Sequence, residues 1–232
     1  VRKLGAVVER TAPDTIVVEG RRRLRGAEHA VIPDRIETGT FLVAAAVAGG
    51  RITLEGAPCE FLGSFTEVVG RMGVQVACGR DTIEVEGLPP GEGAYRPVDV
   101  ETGPYPGFAT DLQPPASVLM ARCAGTSRLH ETIYEDRLEW LAELRKMGAA
   151  VAILDAHHAE ITGPAHLRGA EVDISDLRAG ASLILGALAA DGISTIHGAH
   201  HVQRGYENID RKFHDLGARI ERLPEQVNVR PS

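Results

Sequence analysis

No apolar run in the 232-residue sequence approaches the ~20 residues that a helix needs to cross a bilayer, and nothing at its start has the charged-then-apolar layout of a secretory signal. A membrane partner is not expected, and a cytoplasmic location is. Cysteine is sparse. Cys59, Cys78 and Cys123 form an odd set without C-x-x-C spacing, which argues against a disulfide framework or a thiolate metal site and predicts three reduced thiols. The adjacent pairs His157-His158 and His200-His201 lack the spacing of ligands on one helix face, so no metal is expected. There is no G-x-G-x-x-G and no Walker loop, which removes the common dinucleotide and phosphate-loop readings and leaves no cofactor to predict. A net charge of -7 disfavours nucleic acid as a partner. The run Arg21-Arg22-Arg23-Leu24-Arg25 has no interleaved aromatics and reads as a solvated loop. What the charge leaves open is a local basic pocket for an anionic small molecule.

With 44% hydrophobic residues the chain can bury a sizeable core. Its organising pattern is an apolar helix that begins at an Asp, and it occurs three times: Asp34 to Gly49, Asp111 to Gly125 and Asp176 to Gly192. A short alternating strand follows each, within Arg51–Leu54, Ser127–His130 and Ser194–His197. An amphipathic helix comes next, as in Leu138 to Met147, where Leu138, Leu141, Leu144 and Met147 fall on one face. Each such helix ends in a hydrophobic-Gly step, Met72-Gly73, Met147-Gly148 and Leu216-Gly217, with Gly expected as a left-handed cap. Two strands then close the unit, as in Val74–Ala77 and Thr82–Glu86. The steps Gly50 to Gly73 and Gly125 to Gly148 are both 23 residues, which marks an internal repeat. The opening, Leu4 to Val8 and Thr15 to Val18, matches only the tail of such a unit. The expected organisation is α/β, with a remnant of a first domain over 1–32 and a domain of three repeat units over 33–232. In that arrangement the apolar helices lie together inside, and their N-termini face one end. The start at Val1-Arg2-Lys3 reads as the later part of something longer.

Chemistry is expected where the apolar helices begin. Thr110 and Asp111 have N-cap character, and the Asp111 carboxylate, in a loop stiffened by Pro104 and Pro106, also has the character of a general base. Arg178 stands in a first helical turn after Asp176, where the helix dipole disfavours a cation, so it is a candidate for anion binding. Arg137 and Arg204 occupy corresponding strand-to-helix loops. Three guanidiniums of this kind can grip carboxylate and phosphate oxygens through paired donors.

The stretches Val31-Ile32-Pro33-Asp34-Arg35-Ile36-Glu37-Thr38-Gly39-Thr40, Tyr105-Pro106-Gly107-Phe108-Ala109-Thr110-Asp111-Leu112-Gln113, Glu131-Thr132-Ile133-Tyr134-Glu135-Asp136-Arg137, Asp176-Leu177-Arg178-Ala179-Gly180 and Arg204-Gly205-Tyr206-Glu207 resemble the UDP-N-acetylglucosamine enolpyruvyl transferases along the whole chain. The resemblance implies an inside-out α/β barrel of two domains built from six copies of the unit. It implies transfer of the enolpyruvyl group of phosphoenolpyruvate to the 3-hydroxyl of UDP-N-acetylglucosamine, the first committed step toward peptidoglycan, by addition and then elimination of phosphate. It implies roles as well: Asp111 takes the proton of the sugar hydroxyl, the Ile133 backbone meets the nucleotide sugar, Arg137 and Arg178 lie near the phosphoenolpyruvate carboxylate, and Arg204 lies near its phosphate. Asp176 either orients a lysine from a first half or caps its helix.

The family's first half carries a Lys-Asn pair, a further arginine and a mobile loop with the cysteine that fosfomycin attacks, and none of these is in this sequence. Ala109 stands where the family usually has proline, and Pro114-Pro115 predicts a slightly altered helix start. Two other readings compete: the shikimate-pathway enolpyruvyl transferase of the same fold, and a non-catalytic paralogue without the first half.

Overall fold

The computed structural model describes residues 1–57, 59–89 and 94–223. Its backbone separates into two units, 1–33 and 34–232. In the first, a 3-10 turn at Arg2–Leu4 ends on Gly5 at φ 99°. The antiparallel hairpin of β1 (Val7–Ala12) and β2 (Thr15–Glu19) follows, with Ile16, Val17 and Val18 exposed.

The second unit is organised around three buried helices. Asp34 caps the helix α1 (Arg35–Ala48), its carboxylate accepting the N–H groups of Ile36 and Glu37, as the sequence signal predicts. Past the cap, Gly39 through Val47 are all buried, because no side of this helix carries a solvated face. β3 (Gly50–Glu55) leads to a 3-10 turn at Cys59–Leu62 and then to α2 (Gly63–Met72), which buries Phe65, Val68, Val69 and Met72 at helical spacing. Gly73 ends α2 in the left-handed conformation, φ 104°. β4 (Gln75–Cys78) and β5 (Thr82–Gly87) complete an antiparallel sheet in the order β3-β5-β4.

The middle of the chain repeats this with one strand more. β6 (Val100–Glu101) precedes the second buried helix, α3 (Gln113–Met120), which is entered through a 3-10 turn at Thr110–Leu112. Pro114 and Pro115 lie in its first turn, where their missing N–H groups cost nothing. β7 (Gly125–His130), α4 (Leu141–Lys146), β8 (Ala150–Ile153) and β9 (His158–Gly163) follow, giving the sheet order β6-β7-β9-β8. β10 (Glu171–Asp173) then precedes the third buried helix, α5 (Leu177–Leu188), and pairs in parallel with β11 (Thr195–His197) after it. A 3-10 segment at Ala199–Arg204 and α6 (Ile209–Asp215) are the last regular elements among the described residues.

The buried helices α1, α3 and α5 pack on one another pairwise. The 3-10 segments that flank them pack closely as well: a Cβ on Gly39 of α1 would stand 2.5 Å from a methyl of Leu112 in the turn before α3, and one on Gly180 of α5 would stand 2.7 Å from Val202 in the Ala199–Arg204 segment. The small residue is needed at both places.

Three expectations need correction. The amphipathic helix expected over Leu138 to Met147 is helical only over Leu141–Lys146, with Leu138 and Met147 still buried as its flanks. The leading strands β6 and β10 escape the sequence pattern because two and three residues are too few to show alternation. The cysteines are not all reduced: Cys59 and Cys78, 19 residues apart, form a disulfide with Cα atoms separated by 5.7 Å. Spacing rules test neighbours in sequence, and this pair meets only after the turn at Gly73 brings β4 back beside the start of α2. Cys123 alone is free, and burial pushes its thiol up to about 12. Among the described residues no helix is long and apolar enough to cross a membrane.

Candidate functional site

Asp111 sits in the 3-10 turn before α3, following a loop folded back on itself by bonds from Gly103 N–H to the Phe108 carbonyl and from Gly107 N–H to the Pro104 carbonyl. The expectation of an N-cap at Thr110 or Asp111 fails: neither side chain caps the helix, because both are engaged by other parts of the chain. Asp111 Oδ1 accepts from Arg137 Nη2 at 2.7 Å, and Oδ2 accepts from Arg178 Nε at 3.0 Å. Arg137 also donates through Nη1 to Thr110 Oγ1 at 2.8 Å. Arg137 comes from the turn after β7, and Arg178 from the first turn of α5. One carboxylate is thus clamped by two cations that are 26 and 67 residues away.

The charge balance follows from this geometry. Burial alone would push the Asp111 carboxyl up, but the hydrogen bond from Arg137 and the charges of Arg178 and Arg137 outweigh it and hold the group below the usual carboxylate range. For Arg178, burial works against the charge, and the Tyr206 and Asp111 side chains more than restore it.

Asp176 caps α5, accepting the N–H groups of Arg178 at 2.7 Å and Ala179 at 3.0 Å. Of its two expected roles this is the one visible within the chain. The cation in the first turn of α5 is explained by its neighbours: the Arg178 guanidinium lies 5.4 Å from the centre of the Tyr206 ring and against Asp111, which together offset the dipole. Its Nη1 is buried without a hydrogen-bond partner among the described residues. A buried guanidinium donor with no acceptor carries a desolvation cost that the fold leaves unrelieved.

Beside these groups lies an open depression of about 390 Å³ lined by Asp111, Tyr134, Glu135, Arg137 and Asp176. Ile133 stands at the start of the same turn, and its N–H donates to Glu131 Oε1 at 2.9 Å. Arg204 is not drawn into the cluster. It is exposed at the end of the 3-10 segment, and its side chain has no partner among the described residues. The chain beside it does reach the site, since Gly205 packs on Leu177 and Tyr206 lies under Arg178.

Two residues of the site were missed by sequence reasoning. Tyr206 is buried and its hydroxyl bonds Thr40 at 2.8 Å; because the Thr40 O–H is committed to the Ile36 carbonyl, Tyr206 is the donor. Burial pushes its phenol above the usual value despite that bond and the nearby Arg178 charge. Glu131 is fully buried and gathers Thr102, Thr110, Ile133 and Tyr134. A signal for it exists: Ser127, Leu129 and Glu131 alternate on the buried face of β7 and its extension, which puts a carboxylate where a strand points inward.

The site is thus a carboxylate paired with two arginines, one from the turn after β7 and one from the first turn of a buried helix, and among the described residues no cluster of metal-ligating side chains accompanies it. The chain belongs to the EPSP synthase (3-phosphoshikimate 1-carboxyvinyltransferase) family, whose model matches residues 1–213. Among curated proteins it is 42% identical over 222 residues to UDP-N-acetylglucosamine 1-carboxyvinyltransferase 1 of Caldanaerobacter subterraneus subsp. tengcongensis, covering 96% of this chain and 52% of the relative. It is 42% identical over 219 residues to UDP-N-acetylglucosamine 1-carboxyvinyltransferase 2 of Geobacillus kaustophilus, covering 94% of this chain and 50% of the relative. The chain therefore spans about half the length of these relatives. Among solved structures it resembles the enolpyruvyl transferase NikO from Streptomyces tendae, with a TM-score of 0.85 and 32% identity, over 95% of this chain and 52% of that one. EPSP synthase from Acinetobacter baumannii, with a TM-score of 0.74 at 21% identity over 96% of this chain and 54% of that one, shares the fold.

Proposed function

We propose that this chain is the C-terminal part of an enzyme that transfers the enolpyruvyl group of phosphoenolpyruvate to the 3-hydroxyl of UDP-N-acetylglucosamine, a cytoplasmic step toward peptidoglycan that serves cell-wall growth and division. The observation that carries the reading is Asp111 clamped between Arg137 and Arg178. Relatives at 42% identity that bear the name of this amino-sugar activity support it over the shikimate-pathway alternative. In this reading 1–32 is a remnant of a first domain and 33–232 a domain of three repeat units. The whole is an inside-out α/β barrel completed by a first half that brings the Lys-Asn pair and the reactive-cysteine loop.

Phosphoenolpyruvate presents a carboxylate and a phosphate, the acceptor a diphosphate. Only a local concentration of cations offsets their mutual repulsion in a closing site. Arg137 and Arg178 take the carboxylate and Arg204, exposed and without a partner among the described residues, takes the phosphate. The Ile133 backbone and Asp176 line the acceptor side. As substrate oxygens compete for the guanidiniums, Asp111 loses the charges that depress its proton affinity and becomes a better base for the acceptor hydroxyl. The hydroxyl oxygen then bonds C2 of phosphoenolpyruvate as its proton passes to Asp111, while the C2=C3 π electrons take a proton at C3 from a general acid of the first half. Loss of that C3 proton with departure of phosphate restores the double bond.

The test is phosphate release by the complete protein, first half included, with either UDP-N-acetylglucosamine or shikimate 3-phosphate as acceptor. Release is expected with the nucleotide sugar alone, and the 232-residue chain by itself is expected to release none. Release with shikimate 3-phosphate, or with neither acceptor, overturns the reading.

A further inference from the structure

Glu131 lies just past the end of β7 and is fully buried, yet it is no part of the guanidinium clamp. Its carboxylate meets four donors. Oε1 accepts from Thr102 Oγ1 at 2.9 Å, Ile133 N–H at 2.9 Å and Tyr134 N–H at 3.3 Å, and Oε2 accepts from Thr110 Oγ1 at 2.7 Å. Its backbone is pinned as firmly. The Glu131 N–H donates to the His157 carbonyl at 2.7 Å, and His157 Nδ1 donates to the Glu131 carbonyl at 2.7 Å. Each carboxylate oxygen has about two lone-pair positions, so Oε1 is fully used by its three donors while Oε2 serves Thr110 alone.

We propose that Glu131 is a positioning residue: by fixing the direction of the Thr110 hydroxyl and the amides of Ile133 and Tyr134, it holds Arg137 on Asp111 and sets the shape of the turn that faces the acceptor. The chain of polarity runs one way. Glu131 can only accept, so the Thr110 O–H points at Oε2, and the oxygen's lone pairs are left to receive Arg137 Nη1. With Nη1 held there, the same planar guanidinium presents Nη2 to Asp111 Oδ1. The three segments that Glu131 joins are the end of β6, the 3-10 turn of Asp111 and the turn that carries Arg137. A Gln at 131 has one acceptor oxygen and one NH₂ group, so it leaves either Thr110 or the two amides facing a donor. A residue that served packing alone would not need that polarity.

The test has two arms, of which the second rests on the proposed function and the first does not. In the 232-residue chain, a carbon-13 NMR titration follows the Asp111 carboxyl in the parent, in Thr110→Val and in Thr110→Ser. Valine removes the hydroxyl at nearly constant volume, so Arg137 loses its anchor and Asp111 is expected to titrate at higher pH; serine restores the hydroxyl and the parent titration. A folded Thr110→Val chain with an unmoved Asp111 titration overturns the proposal. In the complete protein, Glu131→Gln is expected to lower kcat by about 10- to 100-fold with a smaller change in KM, since a misplacement of about 1 Å costs about 10²-fold. A folded Glu131→Gln enzyme with parental kcat likewise overturns it. If Glu131→Gln fails to fold, the Thr110 pair decides. An inactive parent sinks the proposed function and leaves the positioning role to the titration.

Discussion

Arg137 and Arg178 meet on the two oxygens of a single carboxylate, Asp111, at 2.7 and 3.0 Å. The pairing makes the candidate base a weak one until something takes the cations away, and the first three expectations below follow from it.

Asp111→Asn keeps an acceptor oxygen for one arginine but cannot take a proton. General-base catalysis is worth about 10² to 10⁴ in rate, so the complete protein with this change is expected to turn over at least about a hundredfold more slowly while still binding nucleotide sugar. Steady-state phosphate release and calorimetric binding check the two halves. Near-parental turnover would remove Asp111 from the chemistry.

Acid sensitivity carries a defined sign. The Asp111 carboxyl is held below its ordinary value of 3.8, so its contribution to stability is fully present above that value and is lost as the pH falls through the lower, folded value. The stability gap between parent and Asp111→Asn is therefore expected to be constant above about pH 5 and to close below about pH 4. Urea unfolding at a series of pH values measures it, and a gap that widens on acidification would contradict the clamp.

Arg178→Lys separates charge from shape. Lysine keeps the cation but cannot engage Asp111 and a substrate oxygen from one planar fork. With charged hydrogen bonds worth about 1.5–3 kcal/mol, the KM for phosphoenolpyruvate is expected to rise by about 10- to 100-fold with little change in melting temperature. An unchanged KM would leave the buried Nη1 of Arg178, which has no partner among the described residues, without a function.

Thiol chemistry checks the cysteines. The native 232-residue chain is expected to show no thiol reactive toward an aromatic disulfide reagent at neutral pH, because Cys123 is buried with its thiol pushed up to about 12. Unfolding without reductant should expose one thiol, and unfolding after reduction three. Three without reductant would show that Cys59 and Cys78 are not joined.

The parts that sequence makes legible are those with local causes. Asp34 and Asp176 cap as their position before an apolar run requires, and Gly73, Gly148 and Gly217 take positive φ after amphipathic helices. Asp111 has the same local signature but different neighbours in space, and two arginines far along the chain turn a cap into a clamped carboxylate. Arg137 and Arg178 were legible as candidates because one breaks the dipole rule and both match family motifs; that they share a carboxylate was not. For Glu131 the alternation of β7 marks an inward-facing position, but its four donors come from three segments that only the fold assembles. Short strands such as Val100–Glu101 leave no periodic trace, and the Cys59–Cys78 bond obeys no spacing rule.

The buried hydroxyl pair of Thr40 and Tyr206 spans 166 residues, and two more links run beside it: Lys212 to Glu37 at 2.6 Å, and the rings of Phe41 and Phe213 with centroids 4.8 Å apart. On a ribosome adding about 5–20 residues per second, α1 emerges roughly 10 to 30 s before the residues that close over it. For that interval the face of α1 that carries Glu37, Thr40 and Phe41 lacks its last partners, although β3, β5 and α3 already pack on the helix. The last regular element among the described residues thus closes over the first buried helix, and the clamp of Asp111 by Arg137 and Arg178 completes earlier in synthesis than this seal.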